Sequence, residues 1–338
     1  MDPIFIVGTE RSGTNLLRLI LNSHPHIAVP HPPHIMKNFS RLEPLYSDLS
    51  KDVNFKRLIK DVATSVRLHP YPWGFEIDEE KIFLNARERD LIHIYFAVYD
   101  QYLEHAGKER WACKSTFMIH HIELIRRNYP SAKFIYMVRD GRDVAASAKK
   151  SIFSHYSVYF TAQLWAKEQQ LGIRWLNTLR KDAMLLVRYE DLLRQSRETV
   201  AAICSFLGEP FEEGMLRFFD TEEARKSGRL SAAWQNTSSP ILKDNFEKYK
   251  KELRKDEIEL FEAIAGLELS RFSYALTTPP CSSEEARAKK TRFKGVYLIE
   301  EMFLMLIVQV RHLFTDRNNF LRFRKFVFLK SLKLRALK

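Results

Sequence analysis

The sequence predicts a P-loop-like three-layer α/β fold with a central parallel sheet, a helical insertion and a basic helical extension at the C-terminus. Short apolar runs of strand length alternate with segments of helical periodicity, and this alternation favours a parallel sheet with helices on both faces. A loop bounded by two glycines, GTERSG, follows the first apolar run. We predict a main domain at 1–276, a linker at 277–294 and an amphipathic basic helical tail at 295–338.

The predicted elements follow one another along the main domain. Each strand is a short apolar run, and each helix carries apolar residues on one face. The predicted strands are 4–7, 27–29, 132–138 and 183–189. The predicted helices are 14–21, 54–67, 87–105, 119–128, one that begins in RDGRDVAASAKK, 158–180, 196–208 and 246–269. The stretch 30–110, with its proline cluster and aromatic pairs, is predicted to be an insertion that covers the top of the sheet.

The charge of the chain is concentrated near its C-terminus. The formal net charge is +12, and from Glu284 onward there are 14 Lys and Arg against five Asp and Glu. The main body is therefore nearly neutral, which argues against a general polyanion or nucleic-acid binder. The three cysteines lack metal-ligand spacing, so we expect buried or incidental thiols in a reducing compartment.

The first loop has the frame of a phosphate-binding loop, G-x-x-x-x-G, between Gly8 and Gly13. A nucleoside-triphosphatase would continue with Lys and then Ser or Thr, whereas Thr14 and Asn15 stand here. Loop amides at a helix N-terminus bind anions without help from a side chain. The neutral donors would come from Thr9, Ser12, Thr14 and Asn15. Arg11 would replace the missing lysine, and no metal is expected.

Five ordered segments carry a resemblance to a known family. GTERSGTNLLRLILNSHPHIAVP resembles the sulfotransferases that use 3′-phosphoadenosine 5′-phosphosulfate (PAPS), in particular the group with an R-S-G-T-T-L-L-R loop, which is related to tyrosylprotein and carbohydrate sulfotransferases. The other segments are WACKST (111–116), FIYMVRDGRDVAASAKKS, LLVRYEDLL (185–193) and FLGEPFE (206–212). They cover residues 4 to about 270. The resemblance implies PAPS as the co-substrate.

The resemblance also implies roles for individual residues. Arg139 and Ser147 would bind the 3′-phosphate of the donor, and Lys114 with Arg11 would stabilise charge on the leaving phosphate and the sulfuryl oxygens. The further donor-binding residues that it implies are Ser12, Gly13, Thr14, Asn15, Tyr189, Ser239 and Lys243, with Lys248 as the weakest candidate. The chain departs from the family pattern at two places. Asn15 replaces a usual Thr, and the segment after Lys114 lacks an expected proline.

The acceptor hydroxyl needs a general base, and VPHPPHIMK offers two histidines where related enzymes place a Glu or a His. Histidine titrates near neutral pH, which suits His31 or His34 to this role. Either histidine could instead be a surface or capping residue, and the sequence does not choose between them.

The tail at 317–338 contains eight basic residues, no acidic residue and four phenylalanines. This composition fits a helix that lies in an anionic membrane surface. The alternative is that the tail and the preceding apolar helix at 295–314 pack on the body of the enzyme or build a homodimer. No signal peptide or spanning segment is expected. We therefore predict a cytoplasmic protein, peripheral on the inner face of a membrane.

The sequence thus predicts sulfuryl transfer from PAPS to a hydroxyl of a glycan or a lipid-linked acceptor. Two alternatives stay open. One is an ATP-dependent kinase of the same loop type, which the missing Gly-Lys-Ser/Thr disfavours. The other is a non-catalytic, membrane-tethered nucleotide-binding protein.

Overall fold

The computed structural model describes residues 2–151, 155–230, 236–279, 294–315 and 318–335. Its centre is a five-stranded, fully parallel sheet in the order β2-β3-β1-β4-β5. The strands are β1 Ile4–Gly8, β2 Ile27–Ala28, β3 Arg110–Cys113, β4 Lys133–Val138 and β5 Met184–Arg188. The predicted α/β fold with a central parallel sheet is confirmed.

The sheet is built on β1, which lies between β3 and β4. Ile4 pairs with Ala112 on one side and Lys133 on the other. Every residue of β1 is buried, as expected for a strand covered on both faces. Strand β3 was not predicted. It has four residues and begins with a charged arginine, so its sequence RWAC shows no apolar run of usual strand length.

Fifteen α-helices surround the sheet within the described residues. They are α1 Thr14–Asn22, α2 Ile35–Phe39, α3 Asp52–Arg67, α4 Glu79–Asn85, α5 Leu91–Ala106, α6 Ile122–Asn128, α7 Gly141–Ala148, α8 Val158–Thr178, α9 Tyr189–Arg194, α10 Ser196–Leu207, α11 Glu222–Leu230, α12 Tyr249–Glu252, α13 Lys255–Arg271, α14 Lys294–Thr315 and α15 Asn319–Arg335. Short 3₁₀ helices cover Glu43–Tyr46, Thr116–His121 and Glu213–Asp220.

The single helix predicted at 246–269 is two helices, α12 and α13. The chain is extended at Leu253 and Arg254, and α13 then begins with its own cap. The Glu257 carboxylate accepts a hydrogen bond from the backbone N–H of Arg254 (2.9 Å), which satisfies a donor at the helix start. Continuous amphipathic periodicity did not reveal this break.

The insertion at 30–110 contains α2 to α5 and packs as part of the main core. Its aromatic side chains meet at the end of the sheet. Trp73 lies edge-on to Tyr99 (5.4 Å between ring centroids), and Tyr99 in turn contacts Trp111 of β3 (4.8 Å). Aromatic pairs stabilise a fold by burying apolar area and, in addition, by favouring particular arrangements of the two rings. The aromatic side chains of the insertion therefore attach it to strand β3.

A buried arginine joins α7 to α13. Arg142 donates to both carboxylate oxygens of Asp140 (3.0 and 2.7 Å) and to Glu262 (2.6 Å). The Glu262 carboxylate also accepts from the backbone of Thr277 and Thr278. With each partner satisfied, the group avoids the cost of an unpaired buried charge. These contacts fix the N-terminal end of α7, the helix that follows β4.

The C-terminal helix α15 packs on the body. Lys325 and Leu332 are buried, Phe328 and Leu329 pack against the core, and Arg335 approaches Asp61 of α3 (3.5 Å). Among the helices described here, none has the length and apolarity needed to cross a bilayer. Most of the predicted linker lies in 280–293, outside the described residues, as does Cys281; Cys113 and Cys204 are buried free thiols.

Helix α14 contacts the body through one side. Tyr297 stacks on Tyr159 (4.5 Å), and the Glu301 carboxylate accepts from the backbone N–H groups of Tyr156 and Ser157. The opposite side is exposed and apolar. Its exposed residues are Val296, Leu298, Ile299, Met302, Phe303, Met305, Leu306, Ile307 and Val310.

Candidate active site

Four of the predicted site segments meet at one edge of the sheet. Arg11 lies in the loop after β1, while Lys114, Arg139 and Tyr189 directly follow β3, β4 and β5. Because the strands are parallel, their carboxyl ends lie along the same edge, where α/β folds bind ligands. All four side chains line one cavity of about 1080 Å³. This volume lies at the upper end for ligand sites, so the cavity has room for two reactants.

The loop between β1 and α1 needs its two glycines for close approach. A Cβ on Gly8 (φ +141°) would lie 2.3 Å from the carbonyl oxygen of Met137. A Cβ on Gly13 (φ +87°) would lie 2.3 Å from the ring of Tyr189. Both residues also have positive φ, which side chains disfavour. The loop is thus pressed against β4 and the start of α9, and its following helix begins directly at Thr14.

Contacts between side chains join the loop to the segment after β4. Arg11 donates through Nε to the hydroxyl of Ser147 (3.0 Å), and Arg139 donates to the carbonyl of Arg11 (3.1 Å). The guanidinium of Arg139 also lies over the ring of Tyr189 (4.5 Å). Asn245 donates to the Tyr189 hydroxyl (2.7 Å). The predicted donor-binding residues Arg11, Arg139, Ser147 and Tyr189 are thus brought into one cluster.

Three buried polar atoms of this cluster have no hydrogen-bond partner in the described part of the chain. They are the hydroxyl oxygen of Ser12, Nδ2 of Asn15 and Nε of Arg139. Asn15 and Arg139 line the cavity, and Ser12 is buried beside them. Buried donors without partners are rare and costly in proteins. Three together at a helix N-terminus fit the oxygens of a bound phosphate.

The amide of Asn15 is oriented by Arg18. This arginine is fully buried, and its Nε donates to Oδ1 of Asn15 (2.9 Å). Because Oδ1 accepts from Arg18, Nδ2 is left as the donor available to a ligand. Arg18 also donates to Glu223 and Ser227 of α11 (2.8 Å each). Arg18 therefore ties the loop to α11.

The cavity is strongly cationic. Nine Lys or Arg side chains and three carboxylates line it, and each carboxylate is paired with a cation. The pairs are Glu10–Lys37, Asp143–Arg139 and Glu252–Lys150. Burial and the charge of Arg139 lower the pKa of Arg11 to about 10, and burial with the charge of Arg18 lowers the pKa of Lys114 to about 8. Such crowding of cations favours an anionic ligand.

His31 is held by its neighbours. Its Nε2 lies 3.2 Å from Nη2 of Arg18 and 3.2 Å from the hydroxyl of Ser227, and its ring stacks on Tyr71. Because a guanidinium only donates, Nε2 accepts from Arg18 in this arrangement. Burial and the charges of Arg18 and Lys114 hold the pKa of His31 well below its usual value. The Nε2 lone pair is therefore already engaged.

His34 is placed differently. It lies at the start of α2 in the left-handed region (φ +60°), and its Nδ1 is buried without a partner among the described residues. The side chain lines the cavity near His69, with 6.1 Å between the ring centroids. Burial, followed by the charges of His69 and Lys37, lowers the pKa of His34 well below its usual value. The imidazole is therefore neutral at pH 7.

Three predicted donor residues, Ser12, Ser239 and Lys243, do not line the cavity, and several unpredicted residues do. Among the described residues, Ser239 and Lys243 are not part of the wall, whereas Lys248 is. The structure adds His69, Tyr71, Asn245, Arg322 and Lys325 to the lining. The His-Pro-Tyr sequence at 69–71 repeats the His-Pro pattern at 31–32, and this signal could have drawn attention to His69.

Two groups of residues have metal-ligating side chains close together in the described part of the chain. They are His24, His26 and Glu209, and Glu88, Asp90 and His93. Neither group lines the large cavity, so both lie outside the site described above.

Comparisons with known proteins connect this site to one family. A model of the sulfotransferase family matches residues 3–213. Protein-tyrosine sulfotransferase 1 of Danio rerio is 21% identical over 281 residues, which cover 81% of this chain and 72% of the relative. The protein-tyrosine sulfotransferase of Drosophila melanogaster is 23% identical over 256 residues, which cover 74% of this chain but 47% of the relative.

A solved structure supports the fold. The sulfotransferase domain from the Synechococcus PCC 7002 olefin synthase matches with a TM-score of 0.50 and 22% identity, covering 78% of this chain and 94% of that domain. At this identity the likeness shows a shared fold. The family model ends at residue 213, so the C-terminal helices lie outside the segment that it matches.

Proposed function

The chain belongs to the sulfotransferase family and is a PAPS-dependent sulfotransferase, and on this premise we propose that it sulfates a hydroxyl of a glycan or a lipid-linked acceptor. The unpaired buried donors Ser12 and Asn15 at the start of α1, with Arg139 after β4 and nine cations around the cavity, support the use of PAPS. The observation that carries the acceptor class is the exposed apolar side of α14. A donor with one phosphate beside its sulfuryl group needs no lysine of the triphosphatase type. This explains why Thr14 and Asn15 stand after Gly13.

The donor would be held by the cluster around Arg139. The loop amides, Ser12 and Asn15 would bind its 5′-phosphate, and Arg139 with Ser147 would bind its 3′-phosphate. Ser147 accepts from Arg11, so its own O–H proton remains available to donate. Ion-assisted contacts of this kind are the strong hydrogen bonds in proteins.

The transfer step would use His34 as the base. As the acceptor oxygen bonds to sulfur, Nδ1 of His34 would take the hydroxyl proton, and the bond between sulfur and the bridging oxygen would break. Arg11 and Lys114 would stabilise the charge that develops on the leaving phosphate. The lowered pKa of His34 keeps the ring neutral throughout the neutral range, while the same burial makes it a weaker base than a histidine in water. His31 is disfavoured because Arg18 occupies its Nε2.

The acceptor class has a second candidate. The curated relatives are named protein-tyrosine sulfotransferases, so a tyrosine phenol is the other hydroxyl to consider. The exposed apolar side of α14 favours a lipid-linked acceptor, since soluble monomers rarely expose a large contiguous apolar surface. The kinase alternative gains no support from the family comparisons, and a non-catalytic role would leave the unpaired Nδ1 of His34 without a use.

We further propose that α14 contacts an anionic membrane surface. The side chains of Glu300 and Glu301 are directed toward the body, because both accept hydrogen bonds from the segment 155–157. The outer side is apolar, and the following helix α15 carries the exposed basic residues Arg324, Lys330 and Lys333. Helices that lie in a membrane interface bury an apolar side among the lipids and use basic residues to bind anionic headgroups. This would place the enzyme peripherally on a membrane.

Replacing Arg139 by Ala should abolish tight donor binding. The variant loses charged hydrogen bonds to a phosphate, so affinity for adenosine 3′,5′-bisphosphate should fall by about 100-fold. Calorimetric titration, with Mg²⁺ and ATP as the comparison ligand, measures this loss. Arg180→Ala, which removes an exposed arginine, serves as the control and should keep the wild-type affinity. Preference of the wild type for ATP would contradict the proposal.

Replacing His34 by Ala should lower the rate of transfer by about 10² to 10⁴, the usual contribution of a general base, and leave bisphosphate affinity unchanged. The assay measures bisphosphate release from PAPS with octyl glucoside as a hydroxyl acceptor. His31→Ala should perturb the contacts of Arg18 and reduce the rate less. If His31→Ala were inactive while His34→Ala kept its rate, the assignment of the base would be wrong.

The pH profile of kcat/KM for PAPS should fall above pH 8. Lys114 carries its charge below its pKa, which burial lowers to about 8, so the free enzyme loses this cation as the pH rises through 8. Lys114→Arg keeps a charged group up to much higher pH, and its profile should stay flat between pH 7 and 9.5. An identical decline in both proteins would assign the titration to another group.

Vesicle co-sedimentation tests the membrane contact of α14. With phosphatidylcholine vesicles that contain phosphatidylserine, Phe303→Glu/Leu306→Glu should reduce binding by about tenfold or more, because two charges would enter an apolar interface. Val53→Glu, at an exposed apolar residue on α3, is the matched control and should bind as the wild type does. A wild-type dimer that the double variant converts to a monomer would instead assign this side of α14 to a homodimer.

A further inference from the structure

The β1–α1 loop has a backbone shape that its own residues do not favour. Between Gly8 and Gly13, which both have positive φ, Arg11 also lies in the left-handed region (φ +71°). A residue with a Cβ keeps this conformation only when the surrounding structure holds it there. The loop therefore needs contacts from outside, and its glycines already make two of them, with Met137 and Tyr189.

A further contact from outside reaches the loop at Thr9. This residue is buried, and its hydroxyl accepts a hydrogen bond from Nε2 of Gln169 on α8 (2.8 Å). Its backbone carbonyl accepts from the N–H of Ser12 (3.3 Å), which forms the turn inside the loop. Thr9 is not among the described residues that line the large cavity. The sequence offered its hydroxyl as a donor to the phosphate, whereas in the structure this hydroxyl joins the loop to α8.

Both ends of the Gln169 amide are engaged. Its Oε1 accepts from the hydroxyl of Tyr136 on β4, and its Nε2 donates to the carbonyl of Trp165 (3.1 Å) as well as to Thr9. Because a backbone carbonyl only accepts, the contact with Trp165 fixes which way the amide faces. A Cβ on Gly172 of the same helix would lie 2.1 Å from the Tyr136 ring. The close packing of α8 on β4 therefore holds Gln169 in this place.

The same face of α8 also contacts the segment after β4. Nε1 of Trp165, which is fully buried, donates to the backbone carbonyl of Arg139 (3.2 Å). Trp165 and Gln169 are four residues apart, so their side chains lie on one face of the helix. One helix face thus contacts the β1–α1 loop through Thr9 and the segment after β4 through Arg139, the two segments between which the donor would lie.

From these contacts we propose that Gln169 is a positioning residue for donor binding. By holding Thr9, it keeps the β1–α1 loop in the shape that presents the loop amides to the 5′-phosphate of the donor. Gln169 is not among the described residues that line the cavity, so it acts through the loop and takes no part in the transfer step. The inference rests on the proposed function, in which the loop binds the 5′-phosphate while Arg139 and Ser147 bind the 3′-phosphate.

Two nucleotides that differ by one phosphate test the proposal. Calorimetry with the full chain measures the affinities for adenosine 3′,5′-bisphosphate and adenosine 3′-phosphate, and their ratio gives the contribution of the 5′-phosphate. Gln169→Leu removes the amide and keeps a side chain of similar size, so the ratio should fall by about tenfold while the affinity for adenosine 3′-phosphate stays at the wild-type value. Gln170→Leu is the matched control. Gln170 lies on the same helix but bonds to Glu268 of α13 (2.8 Å), so this variant should keep the wild-type ratio.

Thr9→Val removes the other partner of the contact and tests the proposal even if Gln169→Leu fails to fold. It should lower the ratio to a similar degree, and the double variant should lower it no further, because both changes break one interaction. An unchanged ratio in Gln169→Leu, including an equal loss of both affinities, would mean a purely structural role and overturn the inference, as would fully additive losses. A wild type that bound the two nucleotides equally, or bound neither, would instead overturn the proposed function.

Discussion

The site depends on how closely the β1–α1 loop packs against its neighbours. Gly13 lies directly on the ring of Tyr189, and Gly8 lies on the carbonyl of Met137, at distances that exclude a Cβ. The guanidinium of Arg139 also lies over the ring of Tyr189, 4.5 Å from its centroid. Tyr189 therefore contacts both the β1–α1 loop and Arg139, and it fixes their relative position. Because the loop and Arg139 share this contact, the backbone amides of the loop and the guanidinium lie close enough to bind the same anion.

A second buried arginine extends this order to the acceptor side. Arg18 has no exposed surface and connects Asn15 of the loop, His31 of the insertion and Glu223 of α11. The same guanidinium orients the Asn15 amide and occupies Nε2 of His31. One side chain thus fixes the orientation of the Asn15 amide and engages a ring nitrogen of His31. A fully hydrogen-bonded charge of this kind specifies a unique arrangement, since each partner would be costly to leave unsatisfied.

The helices beyond the family match are part of the site. Helix α15 supplies cations and apolar side chains to the cavity wall, while α14 presents an apolar surface next to it. The sequence leaves open whether the tail contacts a membrane or packs on the body, and in the structure α15 packs on the body while α14 keeps an exposed apolar side. The side of α15 with Lys325, Phe328 and Leu332 packs inward, and the outer side of α14 stays exposed.

The sequence predicts β1, β4 and β5 through local periodicity, and its motifs single out the two-glycine loop with Arg11, Lys114, Arg139 and Ser147, four side chains that line one cavity in the structure. It could not decide contacts between residues far apart in the chain. Strand β3 was missed because four residues beginning with Arg110 gain their strand conformation from β1 and β2 on either side. Ser239 and Lys243 were predicted by position, whereas Asn245 and Lys248 line the cavity. The choice of His34 over His31 depends on Arg18 and Ser227, and the place of Lys325 depends on packing across 292 residues. Such contacts arise only when the chain folds, since burial and unpaired donors are properties of the assembled core.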